Sequence, residues 1–408
     1  MPNFIVGLDI GSRSIKTVVG EARGGELVFH HAFKMSSAGV RKGVIDDMGE
    51  TTQAVSPVIA ELRKISKQAA GNIYLGVGGS DIRVQPSVGV VAVSRADYEI
   101  YQDDVNRAIQ SAQAINLPNN RMILHAVVRE YVVDGMKDIR DPLEMVGNRL
   151  EVNSLIIDAF IPAVKNLSKC VEVLGGGVGG LVLGSLAGAR TVLTKSQKEL
   201  GVVVVDIGFG KTSMCVFEEG KLLHAAIFPV GSGNVTNDLA IGLKIPVEVA
   251  ETVKLSYGAA MAREVGARET VDLSKIDSRS RDTVPRRFIV EVIESRLAEI
   301  FEMVQNELKY LGRAGKLPAG VVLVGGGAKL PGIVEFVKQE LKLPVQIGTP
   351  EFSPAAVRNA DLCQKLEDPE FVCAIGLFLS GYDTYAERKP LPFSIGKAVE
   401  KFFHYFSP

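Results

Sequence analysis

The chain has 408 residues, more than one ordinary hydrophobic core accommodates, so we expect two or more subdomains. Its formal net charge of -1 gives no global basic field, which argues against a nucleic-acid partner. The four cysteines form no C-x-x-C pair, and no stretch approaches the ~20 apolar residues of a membrane-spanning helix. We therefore expect reduced core cysteines and a cytosolic protein without a secretory leader.

Two segments, half the chain apart, share one pattern. Each has an apolar strand, an Asp-Ile-Gly triplet (Asp9 to Gly11 and Asp206 to Gly208), a short polar turn and a second apolar strand. Short turns between strands predict antiparallel hairpins. A repeat this long is not a solenoid, so it predicts two related domains that face each other.

A third strand, 320–324, ends in the glycine-rich run 325–332, and a helical pattern follows over 333–341. A strand, a glycine-rich turn and a helix N-terminus together form an anion or nucleotide cradle in α/β folds. Further helical patterns lie at 51–69, 102–115, 162–174, 246–260 and 285–311. Strands mixed with amphipathic helices indicate an α/β architecture.

Four other segments differ in composition and pattern from these strands and helices. Residues 81–158 hold β-rich runs around one helix and no phosphate-type turn, which predicts a small inserted α+β module. Residues 266–285 are polar and predict a surface loop. Residues 381–392, with two prolines and four charges, predict a linker. The run 175–180 is rich in glycine, but no Lys-Ser/Thr follows it, so a flexible helix-to-strand loop is favoured over a phosphate loop.

The two hairpin turns have the chemistry to wrap a phosphate chain. Glycine lets the backbone approach a phosphate, hydroxyl groups donate hydrogen bonds and lysines neutralise charge. Two aspartates that enter the turns can hold a hydrated Mg²⁺. One such hairpin is more often an ordinary tight turn, but two of them with the glycine-rich turn, in this order, favour nucleotide binding.

The order D-I-G-S-R-S-I-K, D-I-G-F-G-K-T-S and V-L-V-G-G-G-A-K-L-P-G resembles the actin/Hsp70/sugar-kinase ATPase fold. Motifs at 121–125, 130–135, 139–142, 149–152, 192–201 and 292–296 narrow the resemblance to FtsA, the bacterial cell-division actin homologue, over nearly the whole chain. This resemblance implies an α/β, actin-like (ribonuclease H-like) fold with duplicated domains around a nucleotide cleft and an inserted α+β subdomain. The implied boundaries are 1–80 and 159–193 (subdomain 1A), 81–158 (1C, SHS2-like), 194–240 and 320–380 (2A), 241–319 (2B), 381–392 (linker) and 393–408 (amphipathic membrane-targeting helix).

The resemblance also implies that ATP and Mg²⁺ occupy the cleft, with Asp9 and Asp206 holding the ion through water. Glu251 and Lys254 would face the ribose and base, although such a pair is by itself a common surface ion pair. The implied ATP-binding residues are Asp9, Gly11, Ser12, Arg13, Ser14, Lys16, Asp206, Gly208, Phe209, Gly210, Lys211, Thr212, Gly231, Ser232, Gly233, Asn234, Glu251, Lys254, Gly325, Gly326, Gly327 and Lys329.

This chain departs from the family pattern in the cleft. Phe209 and Lys211 replace the usual Gly and Thr of the second turn. Gly184 and Ser185 stand where relatives carry a Glu-Pro pair whose glutamate orders Mg²⁺-bound water. Because hydrolysis requires a positioned water, we expect ATP binding with very slow or absent turnover.

The C-terminal residues 393–406 form an amphipathic pattern at 100° per residue. Four apolar residues share a ~60° arc, and charged residues lie opposite. Such a helix can lie in a membrane interface or dock on the protein's own surface; the preceding linker and the family's targeting tail favour the membrane. The expected membrane-facing residues are Ile395, Val399, Phe402, Phe403 and Phe406.

The resemblance further implies partners: a filament of the chain itself, the C-terminal tail of FtsZ, later division proteins and the cytoplasmic face of the inner membrane at the division site. Arg281, Arg286, Arg287 and Arg296 form a basic group suited to the carboxylates of that tail, or else a solvated helix face. Two other readings stay open here: a small-molecule kinase of the same superfamily, and another actin-like scaffold such as the type IV pilus assembly protein PilM.

Overall fold

The structure is a computed structural model that describes residues 3–23, 26–278, 282–352, 356–357 and 359–388. Its strands are β1 Asn3–Ile10, β2 Ser14–Arg23, β3 Glu26–Ser36, β4 Val40–Arg41, β5 Val44–Ile45, β6 Ile73–Val77, β7 Arg83–Ala92, β8 Arg121–Val133, β9 Met136–Ile139, β10 Arg149–Phe160, β11 Val178–Leu183, β12 Val202–Ile207, β13 Thr212–Glu218, β14 Lys221–Phe228, β15 Thr270–Asp272, β16 Thr283–Pro285, β17 Gly320–Val324 and β18 Val345–Ile347.

The helices are α1 Met48–Ile65, α2 Lys67–Ala70, α3 Gln102–Gln113, α4 Ile161–Glu172, α5 Gly184–Val192, α6 Lys195–Leu200, α7 Ser232–Leu243, α8 Val247–Tyr257, α9 Arg286–Tyr310, α10 Ile333–Leu341, α11 Ala360–Glu367 and α12 Val372–Arg388. Short 3₁₀ turns lie at Ala262–Glu264, Leu273–Lys275, Gly326–Lys329 and Pro369–Phe371.

Two five-stranded sheets share one topology. The first has the order β11-β6-β1-β2-β3 and the second the order β14-β13-β12-β17-β18. In each, three antiparallel strands (β1 to β3 and β12 to β14) are extended by a strand parallel to the first of them, β6 beside β1 and β17 beside β12. The predicted duplication of α/β domains is therefore confirmed.

The inserted α+β subdomain is also confirmed. Its sheet has the order β7-β10-β8-β9, and α3 packs closely on β7 at Gly89, where a Cβ atom would lie 2.0 Å from the carbonyl oxygen of Ala108. Its inner residues Val127, Leu155 and Ile157 share a core with strands of the second sheet. A salt bridge of 2.9 Å between Lys221 Nζ and Asp138 adds a polar contact at this junction.

The second half carries a helical region built from α7, α8 and α9. The segment expected to be a plain surface loop differs from that prediction, because β15 and β16 pair as a short antiparallel ribbon. Val271 of β15 is only 2% exposed and packs into the core with Ile289 and Ile293 of α9. Leu273 is also buried in this core, and Val284 of β16 packs against it, so a few apolar residues among polar neighbours attach the ribbon.

The predictions of a linker at 381–392 and of a loop at 175–180 need correction. Helix α12 continues to Arg388 through the first eight residues of the predicted linker, because Tyr382 and Tyr385 pack on the core and Asp383 pairs with Arg190 at 2.7 Å. Within the run 175–180, β11 begins at Val178, so half of the expected loop is strand.

The predicted linker residues 389–392 and the whole predicted membrane helix 393–408 lie outside the described residues, as does Arg281. Within the described residues, no helix combines the length and apolar character that crossing a bilayer requires. All four cysteines are unpaired; Cys170 and Cys215 are buried as expected, whereas Cys363 and Cys373 are partly exposed.

Candidate nucleotide-binding cleft

A cleft with a volume of about 350 Å³ lies between the two sheets. It is lined by both Asp-Ile-Gly turns, the glycine-rich turn after β17, and residues of α8 and α9. The sequence-predicted residues that line it are Asp9, Gly11, Ser12, Arg13, Ser14, Lys16, Asp206, Gly208, Phe209, Gly210, Lys211, Ser232, Glu251, Lys254, Gly325, Gly326, Gly327 and Lys329.

The first turn carries its own ion pair. The β1–β2 register pairs Ile10 with Ile15 and places Asp9 opposite Lys16, with 3.6 Å between Lys16 Nζ and Asp9 Oδ2. Burial by itself would lower the pKa of Lys16, but the surrounding carboxylates of Asp9, Glu370 and Asp206 raise it above its ordinary value. Lys16 is therefore a firmly charged ammonium in the cleft.

The second turn is arranged differently. The β12–β13 register pairs Ile207 with Thr212, so Ser213 rather than a lysine lies opposite Asp206. Burial raises the pKa of Asp206, and the field of Asp9 adds to this, while Lys211 and Lys16 oppose it. The ammonium of Lys211 instead donates a hydrogen bond of 2.6 Å to the carbonyl oxygen of Gly78 in the first domain.

The two turns meet across the cleft. A Cβ atom on Gly210 would lie 2.5 Å from the Ser12 hydroxyl oxygen, so glycine permits this approach. The guanidinium of Arg13 lies 5.2 Å from the centre of the Phe209 ring and 3.4 Å from Glu251. Side chains of the first turn thus contact the second domain directly.

Glu251 and Lys254 belong to a buried network rather than to a solvated helix surface. They are 5% and 8% exposed, and their charged groups are 2.7 Å apart. The Lys254 ammonium also donates to Thr236 Oγ1 at 2.8 Å and to the Ser232 carbonyl at 3.1 Å, and Thr236 donates to Glu251. Burial lowers the pKa of Lys254 against the opposing effect of Glu251. The sequence patterns did not single out Thr236.

The glycine-rich turn follows β17. Gly325 has a φ of +83°, and a Cβ atom there would lie 2.2 Å from a carboxylate oxygen of Asp206, so both conformation and space require glycine. Its amide donates to the Pro369 carbonyl at 3.0 Å. The backbone of this turn therefore passes directly beside the Asp206 carboxylate.

Two charged residues that line the cleft, Lys34 and Glu370, were missed in the sequence. Glu370 accepts hydrogen bonds from Lys34 of the first domain and from Lys329 of the second, the latter at 3.2 Å. Although burial opposes it, these two lysines lower the pKa of Glu370. Lys329 also pairs with Asp368 at 2.7 Å. No local pattern marks Glu370, because its partners come from distant parts of the chain.

Four predicted residues do not line the cleft. Thr212 is fully buried, and its hydroxyl has no partner among the described residues. Gly231 and Gly233 let the start of α7 pack against the second turn; a Cβ atom on Gly233 would lie 2.7 Å from the Phe209 ring. Asn234 accepts a hydrogen bond of 3.0 Å from the Gly231 amide. These residues lie next to the second turn on the side away from the cleft, and they do not line it.

The arginines expected to bind a partner are already paired. Arg296 forms a two-point salt bridge with Asp238, at 2.6 and 3.0 Å, which raises the pKa of the guanidinium. Arg286 lies 2.7 Å from Glu269, and Arg287 lies 3.1 Å from Glu291. The described part of the predicted basic group is therefore a set of neutralised pairs.

The cleft fits a phosphate chain with a hydrated cation. Glycine turns from both domains open space for close approach, and ammonium groups from both domains face that space. No group of three or more His, Cys, Asp or Glu residues suited to a metal occurs among the residues that the structure describes. An ion held by Asp9 and Asp206 would keep most of its waters and use phosphate oxygens, as Mg²⁺ commonly does.

The position expected to supply a hydrolytic carboxylate has none. Gly184 lines the cleft at the start of α5, and a Cβ atom there would lie 3.3 Å from the Cys373 sulfur. Burial raises the pKa of the Cys373 thiol well above its ordinary value, so a neutral thiol occupies this site. Gly184 has no side chain and the Cys373 thiol is neutral, so neither residue can act as a base toward water.

Comparison with family models and curated proteins identifies relatives. The model described as "Cell division protein FtsA" matches residues 203–376, and "SHS2 domain inserted in FTSA" matches residues 79–158. The cell division protein FtsA of Pseudomonas aeruginosa is 35% identical over 379 residues, covering 93% of this chain and 89% of that protein. That of Bacillus subtilis is 33% identical over 372 residues, covering 91% and 82%.

Solved structures show the same fold at low identity. The PilM-PilN type IV pilus biogenesis complex superimposes with a TM-score of 0.65 at 18% identity, covering 92% of this chain and 98% of that chain. MreB5 of Spiroplasma citri bound to AMPPNP gives 0.55 at 13% identity, covering 94% and 98%. With an actin-like fold and close relatives along nearly its whole length, the chain belongs to the FtsA family of cell division proteins.

Proposed function

We propose that this cell-division protein binds ATP with Mg²⁺ in the cleft between its two domains. The observation that carries the proposal is the meeting of both Asp-Ile-Gly turns at one cavity, with Asp9 and Asp206 entering it from opposite domains. The related fold of MreB5, which was solved with AMPPNP and with ADP, supports a nucleotide in this position. The residues proposed to bind ATP are those that line the cleft in the two turns, the glycine-rich turn, Ser232, Glu251, Lys254 and Lys329.

We expect ATP to act as a structural ligand rather than as a rapidly consumed substrate. The cleft lacks a carboxylate at Gly184, and Glu370 is engaged by two lysines. Because hydrolysis requires a base or a group that orients water, turnover is proposed to be very slow or absent.

The larger role proposed is a membrane-attached polymer that tethers FtsZ and recruits later division proteins on the cytoplasmic face of the inner membrane. A helix over 393–406 would contribute at most ~1.5–3 kcal/mol per buried large apolar side chain, and ordering it offsets part of this. Single molecules would bind reversibly, and many tails on one filament would bind tightly through avidity.

The FtsZ tail is proposed to bind the region 241–319. Arg286 and Arg296 already pair with Glu269 and Asp238, so an acidic peptide would compete with these internal carboxylates. That competition favours modest affinity, because each salt bridge formed with the peptide replaces an existing one.

The pilus and kinase alternatives receive less support. PilM shares the fold at 18% identity, whereas the FtsA of Pseudomonas aeruginosa is 35% identical over nearly the same length. Membership of the FtsA family gives a small-molecule kinase no support.

The test is sedimentation with anionic vesicles of the full chain and of a chain that ends at Pro392, each with Mg-ATP and without nucleotide. We expect the full chain to pellet with vesicles, more strongly with ATP, and the shortened chain to stay in solution. Equal pelleting of both would overturn the tail as anchor. Calorimetric titration with Mg-ATP should show one site per chain, and absence of binding would overturn the nucleotide proposal.

A further inference from the structure

Lys211 differs from every other cation of the cleft within the described residues. Each of the other five has a carboxylate oxygen within 4 Å, whereas Lys211 has none. The paired cations are Arg13, Lys16, Lys34, Lys254 and Lys329. Among the described cleft residues, Lys211 is thus the one cation without a short ion pair, and Asp206 attracts it only from a longer distance.

The side chain of Lys211 spans the cleft. It starts in the second turn, passes Gly43, where a Cβ atom would lie 3.0 Å from Lys211 Cδ, and ends on the carbonyl oxygen of Gly78. Both glycines belong to the first domain. A hydrogen bond of 2.6 Å between an ammonium and a neutral carbonyl holds the two domains together here.

Gly78 stands at the root of the inserted subdomain, directly before the matched residues 79–158. The carbonyl of Asp81 accepts a hydrogen bond of 2.7 Å from Arg121, and its carboxylate accepts one of 2.9 Å from the Phe160 amide. Arg121 also pairs with buried Asp158. These bonds connect the segment after Gly78 to the first residue of β8 and the last residue of β10.

We propose that Lys211 leaves the Gly78 carbonyl to bind the terminal phosphate of ATP, so that triphosphate binding is coupled to the root of the inserted subdomain. This rests on the proposed function. ATP carries about one more negative charge than ADP, and the Lys211 ammonium, which is in no short ion pair, supplies the matching charge. A charge-assisted bond to phosphate is stronger than one to a carbonyl, so the exchange is favourable.

The first experiment compares affinities for Mg-ATP and Mg-ADP by calorimetry in the full chain. Lys211→Met keeps the length of the side chain and removes its charge; Lys211→Arg keeps the charge, and Lys338→Met is a matched control on the exposed surface of α10. We expect Lys211→Met to weaken ATP binding about 10- to 100-fold with ADP binding little changed. Lys211→Arg should retain a preference for ATP, and the control should match the wild type.

The second measurement is amide hydrogen exchange around residues 76–83 and 158–160. In the wild type, ATP should increase exchange at this root relative to ADP. In Lys211→Met, exchange should already be high without nucleotide, and ATP should add no further increase.

The outcomes separate the two proposals. If the wild type binds neither nucleotide, the proposed function is overturned, and so is the proposed movement of Lys211 from the Gly78 carbonyl to a phosphate. If the wild type binds both, and Lys211→Met keeps the same ratio of ATP to ADP affinity or the same exchange pattern, only the role of Lys211 is overturned. Equal loss of both nucleotides would also overturn it, because it would make Lys211 a general support of the cleft.

Discussion

The two Asp-Ile-Gly turns share this triplet and have the same length, but they differ in electrostatics. In the first, Lys16 lies on the second strand directly opposite Asp9, and the pair forms within the hairpin. In the second, Lys211 is the last residue of the turn, and Ser213 occupies the position opposite Asp206. The first turn neutralises its own aspartate, whereas the second sends its lysine to the other domain.

This difference shows that a shared motif does not determine a shared charge arrangement. In an antiparallel hairpin, opposite residues lie ~4.5–5.5 Å apart at Cβ, so register decides which side chains meet. Moving a lysine by two positions places it in the turn instead of beside the aspartate. The comparison therefore makes opposite predictions for the two aspartates.

Asp9→Asn should have the largest effect on stability. It removes the partner of Lys16, which is 16% exposed, and leaves that ammonium partly buried with weaker compensation from Glu370 and Asp206. We expect the free energy of unfolding to fall by about 1–2 kcal/mol at pH 7, measured by urea denaturation without nucleotide. Asp46→Asn, at an exposed position, is the matched control. Equal stability of the two variants would contradict the claim that Asp9 is the main carboxylate that compensates Lys16.

Asp206→Asn should have the opposite sign and a smaller size. Burial raises the pKa of Asp206 above that of the unfolded chain, so ionisation disfavours the folded state. The amide mimics the protonated carboxyl, and we expect a gain of up to about 1 kcal/mol at pH 7, less whatever attraction to Lys211 is lost. The measurement is the same urea denaturation.

The dependence of stability on pH tests independently whether Asp206→Asn stabilises or destabilises the protein. The stability that protonated Asp206 contributes is fully present below the unfolded pKa of 3.8 and is lost as pH rises through the raised folded pKa. The advantage of Asp206→Asn over the wild type should therefore vanish near pH 3.8 and grow toward pH 7. A variant less stable than the wild type at pH 7 would show that Lys211 compensates Asp206 more than burial penalises it.

Much of the architecture could be predicted because its signals are local. Alternation of apolar residues and short turns marked both hairpins, and glycine after β17 marked the third turn. The electrostatic partners could not be predicted, because Gly78, Thr236 and Glu370 reach Lys211, Lys254 and Lys16 from other parts of the chain. The end of α12 was missed for the same reason: Asp383 and its neighbours look like a linker until Arg190 is placed beside them.

Phe209 offers the finest test of the comparison, since the equivalent third residue after the aspartate in the first turn is Ser12. The Phe209 ring lies 5.2 Å from the Arg13 guanidinium and 5.4 Å from the Lys254 ammonium. Cation–π contacts of this kind contribute about 0.5–1 kcal/mol at exposed sites. Phe209→Leu should therefore lower the free energy of unfolding by about that amount, with Phe288→Leu as a control at a partly exposed phenylalanine outside the cleft.

A double-mutant cycle separates the contact across the cleft from simple loss of apolar burial. If Arg13 of the first turn is held by the Phe209 ring, then Arg13→Met should cost less in the Phe209→Leu background than in the wild type, with a coupling of about 0.5 kcal/mol. Additive losses would assign the position of Arg13 to Glu251 alone, since that carboxylate lies 3.4 Å away and is present in both backgrounds. A positive coupling would instead mean that the second turn holds the first through an aromatic ring that its counterpart lacks, so each turn contributes what the other does not.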